Sequence, residues 1–473
     1  MKKLISMLLI LCLTLGLIAC GGNGSGNADS KDPAGLQVGY ARESIMPESV
    51  IPLAGVGIID RDYTGVLDTL YATCIALTDE TGNTALLITV DLLNSAVEYT
   101  DPAKLQISQA TGIPKERIMI SASHTHSAPT ISATNIAGVS EYKNLVTSTM
   151  VAIAKKAISD MAPAQIEAGS TNATGMAYSR HYIMPDGSIE KNFSSSIVPT
   201  GHPDEPNDTV QIVRFTRSAE GKKDIIMMTF GVHPTFNGQH SDKNISADFI
   251  APTRQHIEEQ TGAQVMYLTS NAGNQTGNSA IPGESLFNRG QYVQYGQALG
   301  KIVVDYLPNL KPLASGDVVI QNKVFTADAY KDKVDMYVQA KQCSDYYNKN
   351  GEAAVQDMLA EYGFDSIWEA IAIVDRAKMG KTVNVSLNAL TVGELSMVFA
   401  PFEMFGDTAK YITDNTPYDM TMIVAMANGS HGYFPTEKAY GYQVYEGFVA
   451  KVVPGTAEKI ADTFVNMLKD MKG

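Results

Sequence analysis

The amino-acid sequence, 473 residues long, predicts an α/β protein. Two patterns point there. Apolar runs of strand length alternate with amphipathic stretches of helical length. Five of those strand-like runs then end in side chains that bind metals or move protons, the arrangement by which open α/β sheets hold ligands. An apolar fraction of 44% with 18% charged residues is that of a soluble globular protein. A net charge of −14 argues against nucleic acid, whose phosphates need a basic face, and no Lys/Arg cluster or internal repeat offsets it. No obligate protein partner is evident.

Residues 1–19 have the form of a signal peptide rather than part of the fold. Lys2 and Lys3 are followed by a nearly unbroken apolar run, Leu4 to Ala19, which falls short of the ~20 residues a spanning helix needs. Leu17-Ile18-Ala19-Cys20 resembles the lipobox of bacterial lipoproteins, and Gly21-Gly22-Asn23-Gly24-Ser25-Gly26 after it begins a flexible tether over 20–35. Cleavage before Cys20 would leave it lipidated, holding the protein outside the cytoplasmic membrane by its acyl chains. An ordinary secretory signal and a short uncleaved anchor are the alternatives. Cys74 and Cys343 remain, either a disulfide pair or two structural thiols.

The remaining chain, 36–473, reads as one domain. Strands are predicted over Leu36 to Ala41, Leu70 to Thr78 and Ala85 to Val90, with a turn at Asp79 to Asn83. A helix follows with Pro102 in its first turn, Leu105, Ile107 and Ala110 on its apolar face and Gly112 as its stop. The strand Ile118 to Ile120 completes a βαβ unit, which puts Asp91 and His124 on one sheet edge. A helix from about Glu141 to Met161 ends before Pro163. Four more strands run into polar segments: Ile225 to Val232 into His233, Ala263 to Leu268 into Ser270–Asn278, Leu395 to Ala400 into Glu403, and Met422 to Ala427 into Tyr433. Residues 331–381 read as a helical insertion, and Thr456 as the N-cap of a last helix, Ala457 to Met471.

Among these strand ends, Ser123-His124-Thr125-His126-Ser127 carries the most chemistry. Two imidazoles at i and i+2 point the same way if the backbone stays extended, so one can bind a metal while the other moves a proton. Spacing alone is equally met by histidines that only cap a strand.

His124-Thr125-His126-Ser127-Ala128-Pro129 resembles the His-Thr-His-Ser-Gly-Pro signature of the neutral/alkaline ceramidases. Leu53-Ala54-Gly55, Asp91-Leu92 and Ser246-Ala247-Asp248-Phe249 belong to the same resemblance, which extends from about Leu36 to the C-terminus. It implies a layered sandwich of mixed β-sheets flanked by helices, and a zinc amidohydrolase that cuts an N-acyl lipid such as ceramide into an amine and a fatty acid. The Zn²⁺ ligands it implies are His124, His233, Glu403 and Tyr433. Tyr433 is favoured by standing five residues after Asn428, with Tyr440, Tyr442 and Tyr445 close by. His126 corresponds to the second active-site histidine and Arg180 to an active-site arginine. Such a set suits a zinc that activates water, with Tyr433 or Arg180 holding the oxyanion and His126 moving the proton.

The sequence also departs from that family. Its loop Asn271-Ala272-Gly273-Asn274-Gln275-Thr276-Gly277-Asn278 stands where ceramidases have Asn-x-Gly-Asp-Val-Ser-Pro-Asn. Thr276 retains a hydroxyl for substrate contact. The arginine motif reads Ser179-Arg180-His181-Tyr182. Amide hydrolysis is therefore the firmer expectation and ceramide the less certain substrate; another N-acyl lipid or a cell-wall amide is the alternative. A lipid-anchored solute-binding protein and a non-catalytic relative are the competing readings.

Overall fold

Thr84–Val90 and Ile118–Ala122 are nearly continuous apolar runs, so both faces of these strands are buried. Leu86, Ile88, Ile118 and Ile120 face a helical layer, while Leu87 and Met119 face a second sheet. That double burial generates a layered α-β-β-α sandwich. The structure, a computed structural model, describes residues 35–56, 61–133, 135–191, 196–238 and 242–473, which fall in one compact unit. The signal-peptide, Cys20 and tether assignments lie outside the described residues, except for Gly35. Among the described residues, no helix is long and apolar enough to cross a membrane.

The larger sheet has nine described strands. Eight run in spatial order Gln264–Thr269, Ile225–Phe230, Thr209–Arg217, Ala162–Asn172, Gln37–Ser44, Tyr71–Thr78, Thr84–Val90 and Ile118–Ala122, and Lys311–Leu313 adds to Ala162–Asn172. The outermost pair at each end is parallel and the middle is antiparallel. Each parallel pair is joined by a helix, Val97–Thr111 at one end and Ile250–Thr261 at the other. The sheet curls until its two edges meet, where the Thr269 hydroxyl donates to the Ser123 carbonyl at 2.7 Å. The second sheet, in order Val318–Asp328, Thr382–Val392, Leu395–Phe399 and Met420–Val424, packs on its inner face. Its outer face is covered by Thr456–Lys472.

Several sequence expectations change here. The strand ends do not share a single sheet edge: His124 and His233 follow strands of the curled sheet, whereas Glu403 and Tyr433 follow strands of the second. The first helix starts at Val97, leaving Pro102 inside it. Its buried face is Tyr99, Thr100, Ala103 and Ile107, so Leu105 is 52% exposed and Ala110 is also outside. A proline whose ring and missing N–H face solvent is tolerated there because tertiary packing outweighs the lost bond. The second helix is Val139–Ser159, and Pro163 sits in the strand after it. Thr456 is the first residue of the last helix, not its cap; Gly455 at φ 79° fills that place. Cys74 and Cys343 are both buried free thiols, in the sheet core and the insertion core respectively, so they form no disulfide.

The insertion is helical as expected, with helices Tyr337–Asn350, Glu352–Tyr362 and Ile367–Lys378 around a small core of their own. Its Arg376 guanidinium donates to the carbonyls of Phe448 and Ala450, fixing the segment that carries Tyr445 and Glu446.

Candidate metal centre and active site

Asp91 and His124 end neighbouring parallel strands, as the βαβ reading requires. Asp91 is a brace and not a ligand: its carboxylate takes both Nη atoms of Arg254, at 3.0 and 2.8 Å, and the Tyr71 N–H at 2.9 Å. Beyond Ala122 the chain leaves the extended state, for His124 sits at φ 68°. The two imidazoles still meet, with ring centroids 5.0 Å apart and planes at 86°. The turn is held by the Thr125 hydroxyl, which donates to the Ser246 carbonyl at 2.7 Å, and by the Ser246 N–H, which donates to the Ser127 carbonyl. The buried Arg61 donates to the carbonyls of Ala54 and His126. Asn428 aligns the second sheet with the first: its Oδ1 accepts from the Ile120 N–H at 2.9 Å and its own N–H donates to the Ile120 carbonyl.

Six predicted side chains gather at this junction, four of them closely. His124 Nδ1 lies 2.6 Å from the Leu93 carbonyl and His233 Nδ1 2.5 Å from the Ala272 carbonyl. A carbonyl only accepts, so both Nδ1 atoms carry the proton and both Nε2 atoms present a lone pair. Those lone-pair nitrogens face each other at 3.2 Å. Glu403 Oε2 lies 3.3 Å from the first and 3.1 Å from the second, and Tyr433 Oη 3.3 Å from His233 Nε2. Three of these atoms, the two Nε2 lone pairs and the carboxylate oxygen, are acceptors that repel at this spacing unless a cation or a proton lies among them. Ligand atoms about 2.0–2.1 Å from a tetrahedral zinc stand roughly 3.3–3.4 Å from one another, close to the 3.1–3.3 Å separations that join His124, His233, Glu403 and Tyr433 here. The Nδ1 bonds are the supports that orient histidine ligands in metal sites.

Charge agrees with that fit. Burial, then Arg180, pushes the His233 imidazolium down to about 4, so its ring is neutral. Burial raises the Glu403 carboxyl, but the two imidazoles beside it, His124 and His233, outweigh that and hold it well below the usual carboxylate range. Burial, against Arg180, keeps the Tyr433 phenol protonated.

His126 lies outside the tight four, its ring centroid 5.6 Å from that of His233. Among the described residues neither of its buried ring nitrogens has a hydrogen-bond partner. Burial, with His124 and His233, pushes its pKa well below the usual value. One imidazole nitrogen of each of His124, His126 and His233 falls within 4.8 Å of the others, so a three-histidine grouping is also met. Glu403 lies closer to both His124 and His233 than that limit, and Tyr433 closer to His233. The His126 ring is trapped between two glycines. A Cβ on Gly55, at φ 110°, would lie 2.6 Å from its Nδ1, and one on Gly238 2.4 Å from its Cβ. Gly55→Ala is therefore expected to keep the metal and lower kcat by about tenfold or more, because a ~1 Å displacement of a reacting group is that costly. Metal analysis beside steady-state kinetics checks this.

Arg180 reaches the same cluster. Its Nη2 donates to Tyr433 Oη at 3.1 Å, while Nη1 is 3.1 Å from both ring nitrogens of His233 and so in line with neither lone pair. Thr276 is the exception among the predicted residues. Its backbone bridges to His233, and its hydroxyl donates to Asn278 Oδ1 at 3.5 Å and not to the cluster. The altered loop residues have structural tasks: Asn274 Oδ1 accepts from the Gly406 N–H, and the Gln275 carboxamide joins Asn207 to Gly231.

Sequence reading missed Glu446 and Lys191. Glu446 is buried and accepts from Arg180 Nε at 2.6 Å, from His181 Nε2 at 2.9 Å and from Lys191 Nζ at 3.0 Å. Nothing in the sequence around a single Glu marks it; only its burial among three cationic partners does.

Two cavities lie near the cluster, lined by neighbours of its residues and not by the cluster itself. One of about 420 Å³ is lined by Gly55, Leu92, Leu93, Pro129 and Ile131, behind His124 and His126. The other, about 870 Å³, is lined by Lys191, Tyr442, Tyr445 and Phe448, beside Tyr433. Trp368 of the insertion borders both.

Fold and site together define a mixed α/β sandwich with a His₂–Glu–Tyr cluster at the junction of its two sheets. The same fold is found in the crystal structure of neutral ceramidase from Pseudomonas aeruginosa, at 15% identity and a TM-score of 0.68, over 92% of this chain and 74% of that one. A structure described as ceramidase complexed with C2 matches at 15% identity and a TM-score of 0.69, over 93% and 75%. At that identity the likeness establishes the fold. No protein-family model and no curated protein matches the chain by sequence.

Proposed function

We propose that this protein is a zinc-dependent amide hydrolase of N-acyl lipids, ceramidase-like, anchored outside the cytoplasmic membrane through Cys20. The observation that carries the reading is the spacing of His124 Nε2, His233 Nε2, Glu403 Oε2 and Tyr433 Oη, each within 3.3 Å of a neighbour in the set. The solved structures with this fold, described as ceramidases, support the chemistry.

Zinc held by these four would supply Lewis acidity and a water of lowered pKa. The chain's own residues do the rest. His126, neutral and without a hydrogen-bond partner among the described residues, takes a proton from the attacking water and returns one to the leaving nitrogen. Arg180 Nη2 and the Tyr433 hydroxyl, 3.1 Å apart, hold charge developing on the amide oxygen. The apolar cavity behind Gly55 suits an acyl chain, and the cavity lined by Lys191 and Tyr445 suits the amine-side fragment.

The purified protein is expected to hold about one zinc per chain and to release fatty acid from N-acyl amides. A chelator should stop the release and Zn²⁺ restore it. A chain without stoichiometric zinc that still binds solute would make it a binding lipoprotein instead. Cys20→Ser is expected to move the protein from the membrane to the soluble fraction, read by fractionation and radiolabelled palmitate; unchanged partition with no label in the wild type removes the anchor.

A further inference from the structure

Beside the metal centre, charge does not balance. Arg180 and Lys191 both bind Glu446, whose side chain is 1% exposed, and His181 joins them at 2.9 Å. His181 has Asp204 at 3.8 Å on its other side, and Asp204 is itself matched by Lys438. Glu446 therefore answers both Arg180 and Lys191, and burial together with Arg180 pushes the Lys191 ammonium down to about 8, a group short of negative partners where buried charges are normally paired. Arg180 is directed at Tyr433 and the cluster. Lys191 is not: its Nζ sits 3.8 Å from the Tyr445 ring centroid, its side chain is 21% exposed, and it lines the 870 Å³ cavity. Two hydrogen-bonded links, Lys191 to Glu446 and Glu446 to Arg180, separate it from the residue that touches Tyr433.

We propose that Lys191 receives an anionic group on the amine-side fragment, so that the preferred substrate is an amide carrying one acidic group near the scissile bond, such as an N-acylated amino acid. This rests on the amide-hydrolase reading above. The other charges on the same walls are Glu190, Asp332, Glu352, Asp365 and Lys333, and Lys333 is already taken by Glu369 at 2.5 Å. That surplus of carboxylates disfavours a polyanionic head group and restricts the anion to one group at Lys191.

Two probes matched in chain length test this, N-dodecanoylglycine and N-dodecanoylethanolamine. Wild-type protein is expected to favour the acidic one by about tenfold or more in kcat/KM, the scale of one charge-assisted contact. Lys191→Met should collapse that ratio, chiefly through KM for the acidic probe, and Lys191→Arg should keep it. Equal losses on both probes would make Lys191 merely the counter-ion of Glu446 and overturn the proposal, as would a wild-type preference for the neutral probe. Calorimetric binding of N-dodecanoylglycine to metal-free protein separates the two readings. Binding that weakens about tenfold in Lys191→Met sustains the anion site even if neither probe is cleaved; no binding, or binding indifferent to the substitution, overturns it.

Discussion

Replacing His124 by alanine is expected to remove bound zinc and hydrolysis together, whereas His126→Ala keeps the zinc and lowers kcat by roughly 10²–10⁴-fold. The contrast follows from where the two rings stand. His124 Nε2 lies 3.2 Å from His233 Nε2 and 3.3 Å from Glu403, so its loss leaves two protein atoms of the tight set and a phenol. A buried carboxylate that relied on two imidazoles for its ionised state then has one. His126 touches neither His233 nor Glu403 by hydrogen bond, and both its ring nitrogens lack partners among the described residues. Its removal therefore opens space without disturbing the donor set. Metal content by elemental analysis and single-turnover kinetics on one N-acyl probe read both halves. If His126→Ala lost zinc as fully as His124→Ala, the three-histidine grouping would be the metal site, and Glu403 and Tyr433 would need another task.

Periodicity sufficed for much of this. The strands Ala85 to Val90 and Ile118 to Ile120 were legible because the runs are unbroken and short, and a helix of the right length separates them. The placing of both sheets was not. A strand carries no mark of which sheet it joins, and the curl that brings Thr269 to Ser123 is a tertiary event. So the ends of five strands read as one rim when they form the junction of two sheets. The His-Thr-His turn was found because its residue types are rare together, although its left-handed His124 was not foreseen. Arg61 and Glu446 were invisible for the opposite reason. Each is a common residue whose meaning lies entirely in what buries it.

The second large effect concerns Arg180 and Glu446, and it separates catalysis from stability. Arg180→Met is expected to lower kcat by roughly 10²–10³-fold, the cost of removing one donor to a developing oxyanion. Its effect on stability should be the smaller one, about 1–3 kcal/mol, because Glu446 keeps Lys191 at 3.0 Å and His181 at 2.9 Å. Glu446→Gln reverses the order. It leaves two cations beside each other in a site where the carboxylate side chain was 1% exposed, and should cost about 3–5 kcal/mol in urea unfolding. Arg180→Lys should recover only part of the rate, since an ammonium cannot bind Glu446 through Nε while holding Tyr433 through a second nitrogen. Were Arg180→Met to destabilise the protein more than Glu446→Gln while leaving kcat within a factor of about three, Arg180 would be a structural counter-ion. The oxyanion would then have to be held without it.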